Sequence, residues 1–463
     1  MLFDRITIGL APCRRWREAR KTVLFNPEAA LAIKKELVAY IRSRYESEEV
    51  RFVDLDFLND EGMMSAAAEA PAIAERFRRE GVDAVFIINC NFGSEEAAGM
   101  VGKLTGKPVL LWGPRDKIEP DGFRNTDTQC GLFSISKQLS RLGVPFSYIE
   151  NCRVSAPVFD RGLRRFFSVA RMIKNFRGMR VLQIGNRPQP FYSVIYNEGE
   201  LLERFGIEVI PLNASRAGEE LRAIYNDPVR RRSAAESLLA KYDAAGLDPD
   251  LVARAGVFLQ FYRDAIRAHD CRVVAGECHT FVRPAIGAMP CAAISLLAEE
   301  GIHIACETDV LGAVSMGLLG AAAGRGSAPF LGEFTMRHPD DDNVELLWHC
   351  GALPYCLKKD DCRPRLQDNT RNELQLRTEG IFTVLRLDSL RGKYHLLAGN
   401  CEGAEGPHTY GASFWARFDN LPKWEKRLVE GPYIHHLAEV RGDYLEAVRD
   451  FAKYYPEIEL DTP

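Results

Sequence analysis

The feature that most constrains the fold is a repeated alternation of short apolar runs with amphipathic helical stretches. In the first third of the chain, the strand-like runs are ITIGL, RFVDLDFL, DAVFIINC and PVLLWG. A nearly continuous apolar run such as DAVFIINC is typical of a parallel strand that is covered on both faces. The β-α-β-α order therefore predicts an open, doubly wound parallel sheet with helices on its faces.

The same alternation restarts near Met179, where the strand-like runs are GMRVLQIG, IEVIPLN, CRVVAGE and IHIACE. Farther along, the pattern changes to strand-like runs such as GIFTVLRL and KYHLLAGNC, and DSLRG between them predicts a hairpin. We therefore predict an N-terminal α/β domain over residues 1–177 and a second α/β domain over 178–351. A mainly antiparallel, barrel-like β domain is expected over 352–463.

Composition excludes several classes of protein. A formal net charge of -4 argues against a general nucleic-acid binder. No apolar run is long enough to span a bilayer, and the first residues lack the apolar core of a signal peptide. Twelve cysteines, mostly within apolar runs, fit reduced thiols. We expect a cytoplasmic protein without a membrane partner. The turn GNRPQP lacks the G-x-G-x-x-G pattern, so NAD is not expected.

Acidic and imidazole side chains follow several of the apolar runs. Glu307 ends IHIACE, and ligands collect at the carboxyl ends of strands in open α/β sheets. Glu333 and His349 follow further apolar runs, and His435 and His436 stand in PYIHHLAEV. Two carboxylates and an imidazole suit Mn²⁺, Mg²⁺, Co²⁺ or Zn²⁺. Alternatively, each acid caps a helix or forms a salt bridge. Only one histidine of the pair is expected to face a given site.

A second possible metal site is the cysteine cluster next to His349. Cys350, Cys356 and Cys362 follow it within a short stretch. The cluster has no C-x-x-C pair, and its spacings fit no usual zinc module. A zinc site there is the less favoured alternative.

Four segments carry a resemblance to a known family: NCNFGSEEA, PCAAISLLAEEGIHIACETDVLGAVSM, LLWHCGALP and the stretch from GIFTVLRL to GPYIHHLAEVRGDY. Over most of its length the chain resembles the L-fucose isomerase and L-arabinose isomerase superfamily, most closely the fucose-isomerase-like branch. The resemblance implies a Mn²⁺-dependent aldose–ketose isomerase that moves a proton through an ene-diol. Mg²⁺ or Co²⁺ could replace Mn²⁺. It also implies a homo-oligomer, a trimer or hexamer, with the active site near a subunit interface.

The resemblance implies roles for individual residues. Glu307, in the E-x-D motif, and Glu333 match the family's two acidic metal ligands, which also act as acid and base. His436 matches the final histidine ligand. His349 is the counterpart of a further histidine ligand that is found only in the arabinose branch.

Two neighbours of these ligands are expected to support them. Asp309, the second acid of E-x-D, should cap the following helix and contact a ligand from behind. His435 is the other histidine of the pair and is expected to pack beside His436 without entering the ligand set.

Several residues at predicted strand ends are expected to contact the substrate: Arg14, Asn91, Arg187, Glu277 and His279. The alternatives are that Arg187 pairs with an acid and that Asn91 caps the next helix. Glu277 and His279 stand where fucose isomerases have Gln and Trp, which argues against L-fucose unless the register is shifted. Arginines at strand ends would suit an anionic sugar such as a sulfo-sugar.

Two other functions are compatible with the same fold. One is a non-catalytic sugar-binding or regulatory protein, and the other is a metal-assisted sugar lyase, which would use related ene-diolate chemistry. The presence of Glu307, Glu333 and His436 in separate stretches favours the enzyme, because a binding module has no need of acids at these strand ends.

Overall fold

The computed structural model describes residues 5–15, 25–118, 124, 126–278, 282–325, 327–367 and 369–463. They form two compact units. The N-terminal unit contains the described residues from 5 to 174 together with Arg449–Tyr455, and the C-terminal unit contains Asn175–Val448 together with Pro456–Pro463.

The N-terminal unit is built on a five-stranded parallel sheet in the order β2-β1-β3-β4-β5. Its strands are β1 (Ile6–Cys13), β2 (Val50–Val53), β3 (Ala84–Asn89), β4 (Val109–Trp112) and β5 (Phe146–Tyr148). The helices of this part of the chain are α1 (Pro27–Tyr45), α2 (Ala70–Arg79), α3 (Glu95–Thr105), α4 (Thr128–Arg141) and α5 (Pro157–Phe176). Every residue of the central strand β3 is buried, as expected for an apolar run in a parallel sheet.

The C-terminal unit begins with a four-stranded parallel sheet in the order β7-β6-β8-β9. Its strands are β6 (Arg180–Ile184), β7 (Glu208–Leu212), β8 (Val273–Gly276) and β9 (His303–Cys306). The helices of this part are α6 (Glu198–Phe205), α7 (Ala214–Asn226), α8 (Pro228–Leu239), α9 (Pro249–His269), α10 (Val282–Ile286), α11 (Cys291–Leu297) and α12 (Val310–Ala323). Helix α12 is buried over almost its whole length, because small residues let it pack closely on all sides.

The rest of the C-terminal unit is a nine-stranded sheet in the order β12-β13-β16-β11-β10-β17-β14-β15-β18. An additional β15–β16 pairing closes six of these strands into a barrel. The strands are β10 (Phe330–His338), β11 (Asp341–His349), β12 (Arg365–Leu366), β13 (Asn372–Gln375), β14 (Ile381–Leu390), β15 (Lys393–Gly403), β16 (Ala412–Arg417), β17 (His436–Arg441) and β18 (Ile458–Asp461). The last helices are α13 (Leu421–Glu430) and α14 (Leu445–Ala452).

All pairings within the barrel are antiparallel. Each barrel strand contributes a buried side chain to one shared core. These side chains are Phe330, Leu347, Phe382, Leu397, Phe414 and Leu437. The predicted fold class, two parallel α/β sheets followed by a barrel-like antiparallel domain, is confirmed. We expected the third domain to begin at residue 352, but the first two barrel strands, β10 and β11, precede that residue. The domain bounds themselves stay a prediction.

The hairpin predicted at DSLRG joins β14 to β15. The strands pair from Ile381↔Glu402 to Leu390↔Lys393, which leaves a two-residue turn of Arg391 and Gly392. Both turn residues have positive φ, 53° and 76°, as the favoured hairpin turn requires. The turn is shorter than predicted, because Asp388 and the two residues after it continue the strand.

Two further expectations can be compared with the structure. All twelve cysteines are free. Within the part of the chain that the structure describes, no helix combines the length and the apolar character needed to cross a membrane.

Candidate metal centre

A strained turn follows β9 at the carboxyl end of the small parallel sheet. Glu307 and Thr308 both have positive φ, 63° and 57°. This conformation is uncommon for residues other than glycine and unusual for a β-branched one, and it costs about 1–3 kcal/mol per residue. The Thr308 N–H donates to the Gly276 carbonyl and its hydroxyl donates to the Asn186 carbonyl, each at 3.2 Å. Such strain persists where the surrounding structure imposes it, as it often does at functional sites.

Three predicted ligands lie together. Glu307, Glu333 and His436 each offer one ligand atom, and these atoms lie within 4.8 Å of one another. The Nε2 atom of His436 is 3.3 Å from Oε2 of Glu307. Glu333 is directly opposite His436 in the antiparallel β10–β17 pair, so the two side chains share a face of the barrel wall. Glu333 was predicted at a strand end, but it lies inside β10 because the strand continues to His338.

The barrel presents this face toward α12. Residues of a strand alternate between its two faces, and Leu437 belongs to the barrel core, so its neighbour His436 faces outward. Helix α12 packs against β14 and β17 on that side and against β8 and β9 of the parallel sheet. Glu307, immediately before α12, therefore meets Glu333 and His436 where the two sheets approach the same helix.

The donor set fits a divalent cation. Two carboxylate oxygens and one imidazole nitrogen are ligands that Mn²⁺, Mg²⁺, Co²⁺ and Zn²⁺ all accept. Glu307 and His436 are buried, whereas the Glu333 side chain is 17% exposed. Solvent therefore reaches the cluster mainly from the side of Glu333. A cation would offset the cost of holding two carboxylates close together in a largely buried place.

Asp309 caps helix α12, as predicted, and also holds a ligand. Its Oδ1 accepts the Gly312 N–H at 2.9 Å, and its Oδ2 lies 3.1 Å from Nδ1 of His436. Burial alone would raise the pKa of Asp309, but the charge of Arg386 and the hydrogen bond from His436 outweigh it and hold this pKa well below its usual value. The ionised carboxylate can only accept, so His436 carries a proton on Nδ1.

The imidazole of His436 is therefore oriented for binding. Burial lowers its pKa, but the hydrogen bonds and charges of Asp309 and Glu307 prevail and raise it to about 9. A metal ligand must be the neutral imidazole, so binding a cation through Nε2 would release a proton. A carboxylate behind a metal-binding histidine is a common device for fixing its tautomer and ring orientation.

Two residues of this network were missed by the sequence analysis. Arg386, on β14, is fully buried and places both terminal nitrogens on the oxygens of Asp309, with Nη2 at 3.1 Å from Oδ1. Its Nε donates to Asp388 at 3.1 Å. Burial lowers the pKa of Arg386, but the two carboxylates raise it above its usual value. The signal available was an Arg-x-Asp pair, on one face of an otherwise apolar strand.

His349 lies beside the cluster rather than within the group of three. Its Nε2 is 3.8 Å from Oε1 of Glu333, and its Nδ1 accepts the backbone N–H of Cys350 at 2.8 Å. A neutral imidazole that accepts at Nδ1 carries its proton on Nε2. In this arrangement His349 would present an N–H toward Glu333, and its role as a metal ligand stays a prediction.

His435 immediately precedes β17 and is exposed. Its ring lies edge-on to that of His436, with centroids 4.5 Å apart, and its carbonyl accepts the Phe334 N–H at 2.9 Å. Although the residue is exposed overall, partial desolvation of its ring and the neighbouring His436 lower the pKa of His435. The ring contact is compatible with the supporting role that we expected.

Two predicted substrate contacts lie on loops next to the strained turn. Glu277 directly follows β8, is 1% exposed and donates its N–H to the Ile184 carbonyl at 3.0 Å. Arg187 lies in the turn after β6, next to the residue whose carbonyl accepts from Thr308. Its Nη1 donates to the carbonyls of Pro188 and Gln189, each at 3.0 Å. The third predicted contact of this unit, His279, lies outside the described residues.

The remaining predicted contacts, Arg14 and Asn91, belong to the N-terminal unit. Nε of Arg14 forms an ion pair with Glu61 at 2.5 Å. The side-chain oxygen of Asn91 accepts the N–H groups of Arg15 at 2.9 Å and Gly93 at 3.1 Å. Ser94, not Asn91, caps helix α3, so the alternative that Asn91 is the helix cap was wrong. Asn91 instead shapes the turn that precedes the cap.

The cysteine alternative gains no support from the structure. The group of potential ligands found among the described residues is Glu307, Glu333 and His436, without cysteine.

Fold and site together define an α/β protein with a β-barrel and a carboxylate–imidazole cluster that can hold a divalent cation. Residues 19–177 match the family described as the N-terminal domain of fucose/sulfoquinovose isomerase. The chain is 25% identical over 454 residues to the sulfoquinovose isomerase of Alkalicoccus urumqiensis, covering 95% of this chain and 100% of that protein. It is 24% identical over 397 residues to that of Priestia megaterium, covering 83% and 87%.

The chain is similar to fucose-isomerase-like proteins, in agreement with the resemblance seen in the sequence. Among solved structures, a galactofuranose binding protein aligns with 64% of this chain and 81% of its own, at 11% identity and a TM-score of 0.16. A likeness of that size has no bearing on fold or function.

Proposed function

We propose that the protein is a Mn²⁺-dependent sugar isomerase that interconverts the aldose and ketose forms of an open-chain sulfo-sugar such as sulfoquinovose. The observation that carries the proposal is the cluster of Glu307, Glu333 and His436, with ligand atoms within 4.8 Å of one another. The similarity to sulfoquinovose isomerases over most of the chain supports the choice of substrate class.

The reaction moves one proton from C2 to C1 of the aldose and another from O2 to O1, with no net gain or loss. A carboxylate that takes the C2 proton and returns it at C1 meets the first requirement. Glu307 and Glu333 are the carboxylates placed for this exchange, and the partly exposed Glu333 is the one that substrate reaches first. A bound divalent ion would polarise the substrate oxygens and stabilise the negative charge of the ene-diolate.

The sulfonate end of the substrate requires cationic donors. Arg187 is suited to this role because its loop adjoins the turn that carries Glu307. Among the described residues, Nη1 of Arg187 donates to two backbone carbonyls of its own loop. The guanidinium carbon lies 5.2 Å from the ring centroid of Tyr192. A guanidinium can bind a sulfonate through two parallel N–H groups, as it binds phosphate. We assign to Glu277, which directly follows β8, the acceptance of a hydrogen bond from a sugar hydroxyl.

The main experiment compares sulfoquinovose, D-glucose and L-fucose as substrates of the metal-stripped protein with and without added Mn²⁺, and identifies the products. We expect a ketose of unchanged carbon number from sulfoquinovose, and only with the metal. Shorter products would indicate the lyase. Binding without turnover would indicate the sugar-binding protein. A preference for the neutral sugars would contradict the proposed substrate class.

A second experiment tests the proton-transfer route. Isomerisation in D₂O should introduce deuterium at C1 of the ketose, because a carboxylate exchanges its proton with solvent before returning it. Retention of the original hydrogen in every product molecule would contradict proton transfer by Glu307 or Glu333 and indicate a hydride shift.

The quaternary structure is part of the proposal. A trimer or hexamer with active sites near subunit interfaces follows from the family resemblance, and light scattering of the purified protein measures it. A monomer with full activity would contradict this arrangement.

A further inference from the structure

Arg386 lies in the middle of strand β14. Its side chain has no exposed surface. Removing a guanidinium from water costs several kcal/mol, and a buried ion pair is often no more stabilising than well-packed apolar residues. Stability alone is therefore a poor reason for an arginine in the middle of strand β14.

The bonds of Arg386 are directed at one carboxylate. Both terminal nitrogens contact Asp309, one at each oxygen, while Nε donates to Asp388 at 3.1 Å. The planar fork of arginine fixes both the position and the plane of a carboxylate that it holds at two points. The backbone N–H of Gly312 adds a further bond to Oδ1 of Asp309 at 2.9 Å.

The carboxylate held in this way orients the imidazole. Oδ2 of Asp309 lies 3.1 Å from Nδ1 of His436, and Nε2 of the same ring lies 3.3 Å from Glu307. A rotation of the carboxylate would move Oδ2 away from Nδ1 and free the ring to turn. The position of the ligand nitrogen therefore depends on Arg386, which acts on it through Asp309.

We propose that Arg386 is a positioning residue of the metal site, which fixes the plane of Asp309 and through it the direction of Nε2 of His436. The inference rests on the proposed function, because it concerns how tightly and in what geometry the cation is held. It adds a residue of β14 to a site whose other members come from the turn after β9 and from β10 and β17.

The packing around this network leaves little freedom. A Cβ atom on Gly312 would lie 2.5 Å from Oδ2 of Asp309 and 3.1 Å from Nη1 of Arg386, so the first turn of α12 closes tightly over the ion pair. The hydroxyl of Ser315, one turn later, accepts the N–H of Leu387 at 2.9 Å. These contacts tie α12 to β14 at Arg386 and at the residue that follows it.

The test measures metal binding directly. Wild-type protein, Arg386→Lys and the double variant Arg386→Met with Asp388→Asn are stripped of metal and titrated with Mn²⁺ by calorimetry and with Co²⁺ by visible absorption. Loss of a residue behind a metal ligand typically weakens metal binding roughly 10- to 100-fold. We expect a loss of this size in the double variant, and altered Co²⁺ absorption bands because the imidazole turns. Arg386→Lys keeps the charge without the fork, so its bands should also change.

Arg417 provides a matched control. It pairs with both oxygens of Asp341 from the barrel strand β16, but its side chain is 49% exposed. Arg417→Met should bind both ions as the wild type does. Thermal unfolding in EDTA establishes which variants are folded, and the Asp388→Asn change prevents an unpaired buried carboxylate at that position.

The outcomes separate the two proposals. A wild-type protein that binds neither ion would overturn the proposed function and this inference together. Wild-type binding with the same affinity and the same Co²⁺ spectrum in the folded double variant would overturn the role of Arg386 alone. If the double variant does not fold, Arg386→Lys decides, and an unchanged affinity and spectrum would overturn the role.

Discussion

Nδ1 of His436 lies 3.1 Å from Oδ2 of Asp309, which makes the helix cap of α12 also the support of a proposed metal ligand. Asp309→Asn keeps the size of the side chain but removes its charge and offers an amide where Nδ1 needs an acceptor. We expect Mn²⁺ affinity to fall roughly 10- to 100-fold. Isothermal calorimetry on the metal-stripped protein measures this. An unchanged dissociation constant would show that the imidazole holds its orientation without the carboxylate.

Glu307 and Glu333, the two proposed acidic ligands, are expected to take part in the reaction itself. Glu307→Gln and Glu333→Gln should each lower kcat by roughly a hundredfold to ten-thousandfold, the usual contribution of an acid–base group, and weaken metal binding as well. The measurement is turnover of the best aldose at saturating Mn²⁺, with circular dichroism as the test of folding. Activity close to that of the wild type in either variant would remove that residue from the reaction.

Glu439 offers a matched control for these substitutions. It lies on β17, three residues after His436, and is fully buried, with Oε2 accepting the Gly332 N–H at 2.9 Å. Burial raises its pKa well above the usual value, which favours the protonated carboxyl that an amide resembles in size and shape. Glu439→Gln should therefore leave metal affinity and turnover unchanged. A loss as large as that in Glu333→Gln would mean that any change in this wall of the barrel disturbs the site.

Much of the architecture could be predicted from the sequence because its signals are local. Apolar runs that are long enough for one strand, with helical stretches between them, are sufficient to predict parallel sheets. The acid that ends IHIACE was predicted at the carboxyl end of a strand, and Glu307 directly follows β9. The E-x-D spacing also predicted the cap, because Asp309 stands one residue before the helix that it caps.

The rest depended on contacts that no local pattern contains. Arg386 and Asp309 are 77 positions apart, and their pairing becomes visible only when β14 lies against α12. Glu333 belongs to β10, which lies between β11 and β17 in the sheet. These two partner strands are far from each other in the sequence. The position of His349 beside Glu333 depends on the register of the β10–β11 hairpin, in which Glu333 lies opposite Trp348.

The tight start of α12 gives a prediction about packing. Gly312→Ala would place a methyl group 2.5 Å from Oδ2 of Asp309, so either the carboxylate or the helix must move. Overpacking of this kind costs about 1–3 kcal/mol. We expect lower stability in urea and weaker Mn²⁺ binding in the same variant.

Gly317, in the same helix, is the control for this substitution. An added Cβ there would meet Cε of Met179 at 2.9 Å and a methyl group of Val273 at 3.1 Å, and the flexible methionine can move aside. Gly317→Ala should leave Mn²⁺ affinity unchanged even if stability changes. Equal losses of metal affinity in the two variants would contradict a specific effect on the Asp309 carboxylate.

The buried Glu345, on β11, is expected to make the free energy of unfolding depend on pH. Its side chain is 7% exposed and lies opposite Arg337 of β10, which also pairs with Glu425. Burial raises the pKa of Glu345 to about 7 from the usual 4.5, although Arg337 acts in the opposite direction. Between these two pH values the folded protein keeps a proton that the unfolded chain releases. The contribution of Glu345 to the free energy of unfolding therefore falls as pH rises through this window.

The loss between about pH 4.5 and about pH 7 amounts to at most roughly 3 kcal/mol, because one pKa unit corresponds to about 1.4 kcal/mol. Glu345→Gln removes this titration, so the variant should gain stability relative to the wild type as pH rises and show no such gain at the acid end. Urea unfolding at about pH 5 and about pH 8 measures the difference. Glu402→Gln, an exposed acid on β15, is the control and should follow the wild type at both values. A difference between Glu345→Gln and wild type that stays constant over this range would show that Glu345 is ionised in the folded barrel, with Arg337 rather than burial setting its charge.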